Sequence, residues 1–396
     1  MPVVIKPQEL LEEARFGAEI RHQIHQYPEV GLDLPMTEKT IAETLRALGI
    51  EEVYTRVGGE NVGGVVAVIR GDRPGRTIGL RADSDALPLN ENTGVPYSST
   101  IAKCHHACGH DGHVGCLMAV VKYLVEHRDF AGTLVAIFQP GEEGFAGARY
   151  MLEDGLIERF GVEEFYALHA EPSVPVGSVA FVEGYATANA DIFEIVFEGK
   201  GGHGSRPQFV HDPIVAASEC VLALQTIISR SAPADLAAVV SVGCVQAGDR
   251  NGTSVVPQFA TLRGTARSYE PEIQELIIRR MKTIAEGIAH AHEMKAEVNY
   301  TKLYPAMYND PAMVQNARAL AAQALGEEKV EQFRRTPGGE DFSFMLREKL
   351  GCLFRLGMKD ETHTSSVHHE CFDFNDEAIA TGAAVLLTVA LDRMAA

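Results

Sequence analysis

The sequence is short of positive charge: 35 Lys and Arg stand against 54 Asp and Glu, for a formal net charge of −19. No Lys/Arg run is long enough to line a phosphate backbone, which excludes nucleic acid as the expected partner. Long apolar runs are also missing. Nowhere do about 18 uncharged apolar residues follow one another, and the start MPVVIKPQELLEEARFG holds no apolar stretch of signal-peptide length, so no membrane partner and a cytoplasmic location are expected. Cysteine is sparse and odd in number, seven residues at 104, 108, 116, 220, 244, 352 and 371, without the density of a disulfide scaffold. Reduced thiols are expected. There is no internal repeat and no low-complexity segment, and no G-x-x-x-x-G-K-[ST], G-x-S-x-G or H-E-x-x-H, which removes the common NTPase, serine-hydrolase and zincin readings.

What is present is the composition of an ordinary globular protein, 46% apolar and 22% charged over 396 residues. At roughly 100–200 residues per domain this length accommodates two or three domains. Periodicity predicts helices near 7–26, 37–48, 113–129 and 143–158, and buried strands at 64–70, 77–82, 133–139 and 163–168. Helix alternating with apolar strand is the pattern of an α/β sheet. After Gly184 the pattern changes to strand 191–198, helix 212–230, strands 237–246 and 258–267, helix 271–293 and strand 295–303, the β-α-β-β-α-β order of a ferredoxin-like unit. The first of its helices opens at Asp212-Pro213, an N-cap followed by Pro. In the second, Ile273, Ile277, Met281, Ile284, Ile288 and Ala291 recur at the helical period and are expected to face the small sheet. From about Pro305 the first pattern returns, with helices near 311–325, 340–349 and 376–393 and a strand at 352–358. The expected architecture is therefore an α/β domain in two parts, 1–186 and 304–396, interrupted by an α+β domain at 187–303.

Four places collect chemistry. Residues 104–113 read CHHACGHDGH, in which Cys108-Gly109-His110 sets a thiol and an imidazole two residues apart, a borderline-soft pair suited to Zn²⁺ and its first-row neighbours. Asp111 beside them is a carboxylate able to bridge or to support the ligands. At 139–143 an apolar strand runs into Glu142-Glu143, where one acid can ligate a metal while the other takes a proton from water. The strand FYALH ends on His169, and HTSSVHHECFDFND brings His363, His368 and His369 to a helix entry. Each has a plainer reading, from a dipole-favoured helix start to a surface histidine. Their joint occurrence favours metal. GKGGHG at 199–204 fits a dinucleotide fingerprint, but Pro207 follows and the helix begins only at Asp212, which excludes that fold.

Taken together, RADSDALP (81–88), HACGHDGH (106–113), QPGEEG (139–144), ALH (167–169), GKGGHG (199–204), GGEDFS (338–343) and HHECFDFND (368–376) resemble the metal-dependent aminoacylase/hippurate hydrolase amidohydrolases. That group includes the auxin-conjugate amidohydrolases and is related to dimetal carboxypeptidases. The resemblance implies a dimetal α/β catalytic domain with an inserted ferredoxin-like lid that also serves dimerisation. It implies two divalent ions (Zn, Mn, Co or Ni) on Cys108, His110, Glu143, His169 and His368, with Glu142 as general acid/base and Asp85 orienting the active-site carboxylate or metal shell. It assigns His203 to oxyanion stabilisation from a neighbouring subunit, within a homodimer or higher homo-oligomer. The implied reaction is hydrolysis of an N-acyl amino acid to a carboxylic acid and a free amino acid. The alternatives are a carboxypeptidase or dipeptidase using the same metals, and a silent protein of the same fold that binds metal or amino acid. Arg206, Arg263 and Arg267 are unranked candidates for the substrate carboxylate. The chain departs from the family's usual pattern at Ser254-Val255-Val256-Pro257, at Glu370-Cys371 and around Gln208 and His211.

Overall fold

A computed structural model describes residues 3–396, and among them the chain clusters into two compact units. The first holds the chain up to Ala186 together with Tyr308–Arg334 and Asp341–Ala396; the second holds Thr187–Met307 and the short stretch Arg335–Glu340.

The first unit is built on an eight-stranded mixed sheet, which bears out the α/β reading. Its strands run Val53–Val57, Gly64–Arg70, Ala131–Gln139, Arg73–Asp83, Glu164–Pro175, Leu350–Lys359, Val179–Phe181 and Val330–Gln332 in spatial order. The central pairs, Arg73–Asp83 with Ala131–Gln139 and with Glu164–Pro175, are parallel. Strands buried on both faces read as continuous apolar runs, as GVVAVIR and TLVAIFQ do. The helices His110–Glu126 and Ala378–Met394 are buried on nearly every side, which explains why neither shows a polar face.

The second unit is a four-stranded antiparallel sheet in the order Ala238–Ala247, Phe259–Ser268, Ala190–Glu198, Lys295–Tyr304. In Ala190–Glu198 the buried residues Asp191, Phe193, Ile195 and Phe197 alternate with less buried ones, the period of a half-covered strand. Helices Pro213–Thr226 and Pro271–Ala291 share its apolar core. Asp212 caps the first by accepting the Ile214 N–H at 2.9 Å. In the second, Ile273, Ile277, Met281 and Ile288 are buried with Ala285 and Ala289, whereas Ile284 is half-buried and Ala291 is exposed.

Three element boundaries differ from expectation, and each difference moves a site residue. The helix expected at 113–129 starts at His110, directly after Gly109 in left-handed backbone (φ 86°), so His110 lies in its first turn. The helix expected at 143–158 is instead two short ones, Gly147–Glu153 and Leu156–Phe160, separated at Gly155, whose φ of 84° breaks the helix. Glu142 and Glu143 consequently occupy a loop. The strand expected to end near His169 runs on to Pro175, placing His169 within it. One further point concerns apolar length: Pro213–Ser231 is long and apolar enough to cross a membrane by composition. Five of its residues, Ala216, Ala217, Cys220, Leu224 and Ile227, pack into the core of the second unit, while Ile214, Val215 and Leu222 are exposed.

Candidate metal centre

Parallel strands deliver side chains to the carboxyl edge of a sheet, where the loops that follow them meet. Asp83 closes the strand Arg73–Asp83 there, Asp85 follows it, and Gln139 closes Ala131–Gln139 just before Glu142. Asp85 ties these loops together. Its Oδ1 accepts the N–H of Glu142 and its Oδ2 the N–H of Glu143, both at 3.0 Å. One carboxylate thereby fixes the backbone that presents both glutamates.

Donor atoms converge around Cys108 in two trios, Cys108 with His110 and His169, and Cys108 with Glu143 and His368; within each trio the atoms lie within 4.8 Å of one another. A third trio joins His110 to Glu142 and Glu143. Cys108 Sγ stands 3.5 Å from His169 Nε2, and His368 Nε2 stands 3.0 Å from Glu143 Oε1. Cys108, His110 and Glu143 each belong to two of the three trios, so the donors form one continuous cluster.

The histidines are oriented as ligands. His110 Nδ1 is 2.9 Å from the carbonyl oxygen of Asp85, and His169 Nδ1 is 2.8 Å from that of Ala170. Since a carbonyl only accepts, Nδ1 carries a proton in both rings, which leaves Nε2 as the nitrogen turned to the cluster, the orientation that metal-ligating histidines require. The buried Nε2 of His110 has no hydrogen-bond partner, a cost that a cation would remove. Burial pushes the Cys108 thiol up to about 12, so without a cation it keeps its proton. Burial likewise drives His169 well below the usual imidazole range, with Arg355 adding to the effect. Burial opposes ionisation of Glu143, but the His368 hydrogen bond and the His110 charge together hold it below the ordinary carboxylate range. The mixture of thiol, imidazole and carboxylate, unmet at His110, fits a pair of divalent ions.

A buried frame supports the cluster. Arg81, fully buried, donates to Asp83 Oδ2, Gln139 Oε1 and Asp341 Oδ1, each at 2.8 Å, while Gln139 Nε2 and the Ala148 N–H also reach Asp341. His113 lies between Asp83 and the backbone: its Nδ1 is 2.5 Å from Asp83 Oδ1, and its Nε2 accepts the Ala170 N–H at 2.8 Å. Burial would raise the Asp83 carboxyl, but Arg81, His110 and His113 hold it well below its ordinary value. The motifs RADSDALP and GGEDFS contain Arg81, Asp83 and Asp341, yet spacing alone gave no sign that they meet.

Other residues are engaged elsewhere. Asp111 Oδ2 accepts from Arg21 Nε at 3.0 Å and meets His25 Nδ1 at 2.8 Å, so Asp111 supports Arg21 and His25. His363 pairs with Asp360 at 2.9 Å, and His369 Nδ1 accepts the Cys371 N–H. Of the three histidines in that segment, His368 joins the Cys108 trio; its backbone is left-handed (φ 62°) and its N–H donates to Ala107 O at 2.7 Å. His203 belongs to the second unit, exposed on the short strand Gly202–His203 paired with Val255–Val256. Its Nδ1 accepts the Ser205 N–H at 3.2 Å, which places its ring proton on Nε2 and makes that nitrogen a donor. Arg263 pairs with Glu194 at 2.5 Å and Arg267 binds the Asp191 and Ala266 carbonyls.

Residues 79–392 match the model of peptidase family M20/M25/M40. The chain is similar to hippurate hydrolase of Campylobacter jejuni, 37% identical over 374 residues that make up 94% of this chain and 95% of that one. It is 35% identical to an N-acetylcysteine deacetylase of Bacillus subtilis, over 91% of this chain and 92% of the relative. A solved Bacillus subtilis structure described as a dinuclear metal binding peptidase superposes with a TM-score of 0.83 at 31% identity, covering 96% of this chain and 98% of that one.

Proposed function

The chain belongs to peptidase family M20/M25/M40, and from that premise we propose that it is a metal-dependent amidohydrolase that splits N-acyl amino acids into a carboxylic acid and a free amino acid. The observation that carries this reading is the pair of donor trios sharing Cys108, with Glu142 held beside them by Asp85. Cys108, His110, Glu143, His169 and His368 would hold two divalent ions, of which Zn, Mn, Co and Ni all suit the donors. When bound, such ions supply Lewis acidity to an amide carbonyl and to an attacking water. Glu142 is the general base that takes the proton from that water and returns it to the leaving amine nitrogen. Asp85 positions Glu142 through its backbone, and the Nε2–H of His203 is suited to hydrogen-bond the developing oxyanion.

The similarity to a hippurate hydrolase and to an N-acetylcysteine deacetylase supports an acyl group on an amino acid's nitrogen as the substrate class. A homo-oligomer formed through the second unit is part of the same reading. Its support is the exposed apolar surface there, Ile214, Val215 and Leu222 on one helix and Val239 and Val245 on the edge strand Ala238–Ala247.

Glu142→Gln tests the proton-transfer role. Amine release from N-benzoyl and N-acetyl amino acids is expected to fall by about 10²–10⁴-fold with metal content unchanged. Full activity in the variant would remove Glu142 from the reaction. A trans role for His203 predicts that inactive His203→Ala and Glu142→Gln subunits regain partial activity when mixed as heterodimers, and absence of recovery after proven subunit exchange would contradict it.

A further inference from the structure

We propose that the first unit holds an additional divalent-cation site formed by His25, Glu91 and His105, sharing no ligand with the cluster around Cys108. The three side chains come from separate places: His25 from the helix Leu11–Gln26, Glu91 and His105 from the long connection between Asp83 and His110. Their donor atoms lie within 4.8 Å of one another. His25 Nε2 is 3.2 Å from Glu91 Oε1, and His105 Nδ1 is 3.6 Å from Glu91 Oε2. A tetrahedral ion with bonds of about 2.0–2.1 Å keeps its ligand atoms about 3.3 Å apart, so the two spacings to Glu91 need little adjustment.

Each ligand is already aimed. His25 Nδ1 meets Asp111 Oδ2 at 2.8 Å, and that carboxylate is itself held by Arg21 Nε at 3.0 Å. This is the carboxylate–histidine pairing that turns Nε2 toward a metal. The Glu91 carboxylate is fixed by the Ser99 N–H at 2.6 Å on Oε2 and by the Thr93 hydroxyl on Oε1. The backbone of His105 is locked by a two-way bridge to Leu87, with both N–H···O distances 3.0 Å.

The independent sign of a missing ligand is His105 itself. Its ring is fully buried and neither nitrogen has a hydrogen-bond partner of good geometry: Nδ1 lies 3.6 Å from Glu91 Oε2, and the Phe372 backbone interacts with the ring only weakly. Burying polar atoms without partners is costly, and a cation on Nδ1 relieves that cost at one of them. An open cavity of about 420 Å³, lined by Asn90, Glu91, Asn92, Ser99 and Lys103 among others, borders Glu91. Two imidazoles and one carboxylate suit zinc and its first-row neighbours. Through Asp111 the ion would brace the first turn of the helix that carries His110.

The test uses the full-length protein, stripped by chelation, reloaded with excess Zn²⁺ and freed of loosely held metal before elemental analysis. Wild type is expected to retain one zinc per subunit more than either His105→Met or Glu91→Gln. In parallel Co²⁺ loading, the thiolate-to-cobalt absorption arising from Cys108 is expected to be the same in all three, which separates loss of this site from damage to the other. Equal zinc in wild type and both variants would overturn the proposal. Anomalous scattering at the zinc edge from wild-type crystals reads the site without any variant. A peak among His25, Glu91 and His105 supports it, and none at saturating zinc overturns it.

Discussion

At the scale of single residues, the site depends on a few backbone positions that hold reactive side chains in place. Gly109 is one. Its φ of 86° is left-handed, and a Cβ there would stand 3.1 Å from the Phe374 ring and 3.2 Å from the Ala170 Cβ. Gly109→Ala is expected to cost about 1–2 kcal/mol from the backbone alone, read as a lower midpoint in denaturant unfolding, together with weaker metal retention because Cys108 and His110 flank it. An unchanged midpoint would show that the turn relaxes freely. Asp85 makes a sharper case. In Asp85→Asn the amide NH₂ would face one of the N–H groups of Glu142 and Glu143 that the carboxylate now receives. The expected result is a lower kcat with KM little changed and a thermal midpoint lowered by the one unpaired N–H, a cost of about 1–3 kcal/mol, and a variant with wild-type kcat would count against the positioning role. Cys108, His110, Glu142 and Glu143 were legible in the sequence because donors sat side by side. Asp111 misled for the same reason: adjacency suggested a supporting carboxylate for the metals, but its helical position turns it to Arg21 and His25.

At the scale of elements, what the sequence made legible was whatever rests on period and caps. The helix Pro311–Leu325 begins where Asp310 accepts the Ala312 and Met313 N–H groups at 2.9 and 3.1 Å, with Pro at the first position. Asp310→Ala is expected to destabilise the first unit by about 1 kcal/mol, measured by urea unfolding, and no loss would mean that the helix start is held by packing alone. Short elements were not legible. Val53–Val57, Val179–Phe181 and Val330–Gln332 are strands because they pair with neighbours in the sheet, and runs of three to five residues have little period to read. The break at Gly155 and the loop at Glu142–Glu143 were hidden likewise, since a tertiary contact, Asp85 on two backbone amides, holds that loop.

At the scale of the whole molecule, the alternation of helix and strand and its change after Gly184 announced the two kinds of sheet, but the contacts that join distant segments could not be read. Glu164 is one such node. Arg393 Nε and Nη2, Arg76 Nη1 and the Tyr166 hydroxyl all donate to its two oxygens, at 2.6 to 2.9 Å, joining residues 229 positions apart. Burial pushes the Glu164 carboxyl up, yet these hydrogen bonds together hold it below the ordinary range. The stabilisation is therefore present above the unfolded value of about 4.3 and is lost as pH falls through the lower folded value. Between pH 5 and pH 3 the thermal midpoint of wild type is expected to drop further than that of Glu164→Gln, and parallel curves would refute the assignment. Arg393→Met, which leaves a buried carboxylate with fewer donors, is expected to cost on the order of 3 kcal/mol. The central claim is that this chain uses metal to hydrolyse N-acyl amino acids. Its most direct test is amine release from a panel of N-acetyl, N-benzoyl and longer N-acyl amino acids by protein loaded with Mn²⁺, Co²⁺ or Zn²⁺, beside a chelated control. Turnover is expected to disappear with chelation and return with metal; silence across the panel with two ions bound at the Cys108 cluster, or turnover indifferent to chelation, would rule out metal-dependent N-acyl amino acid hydrolysis.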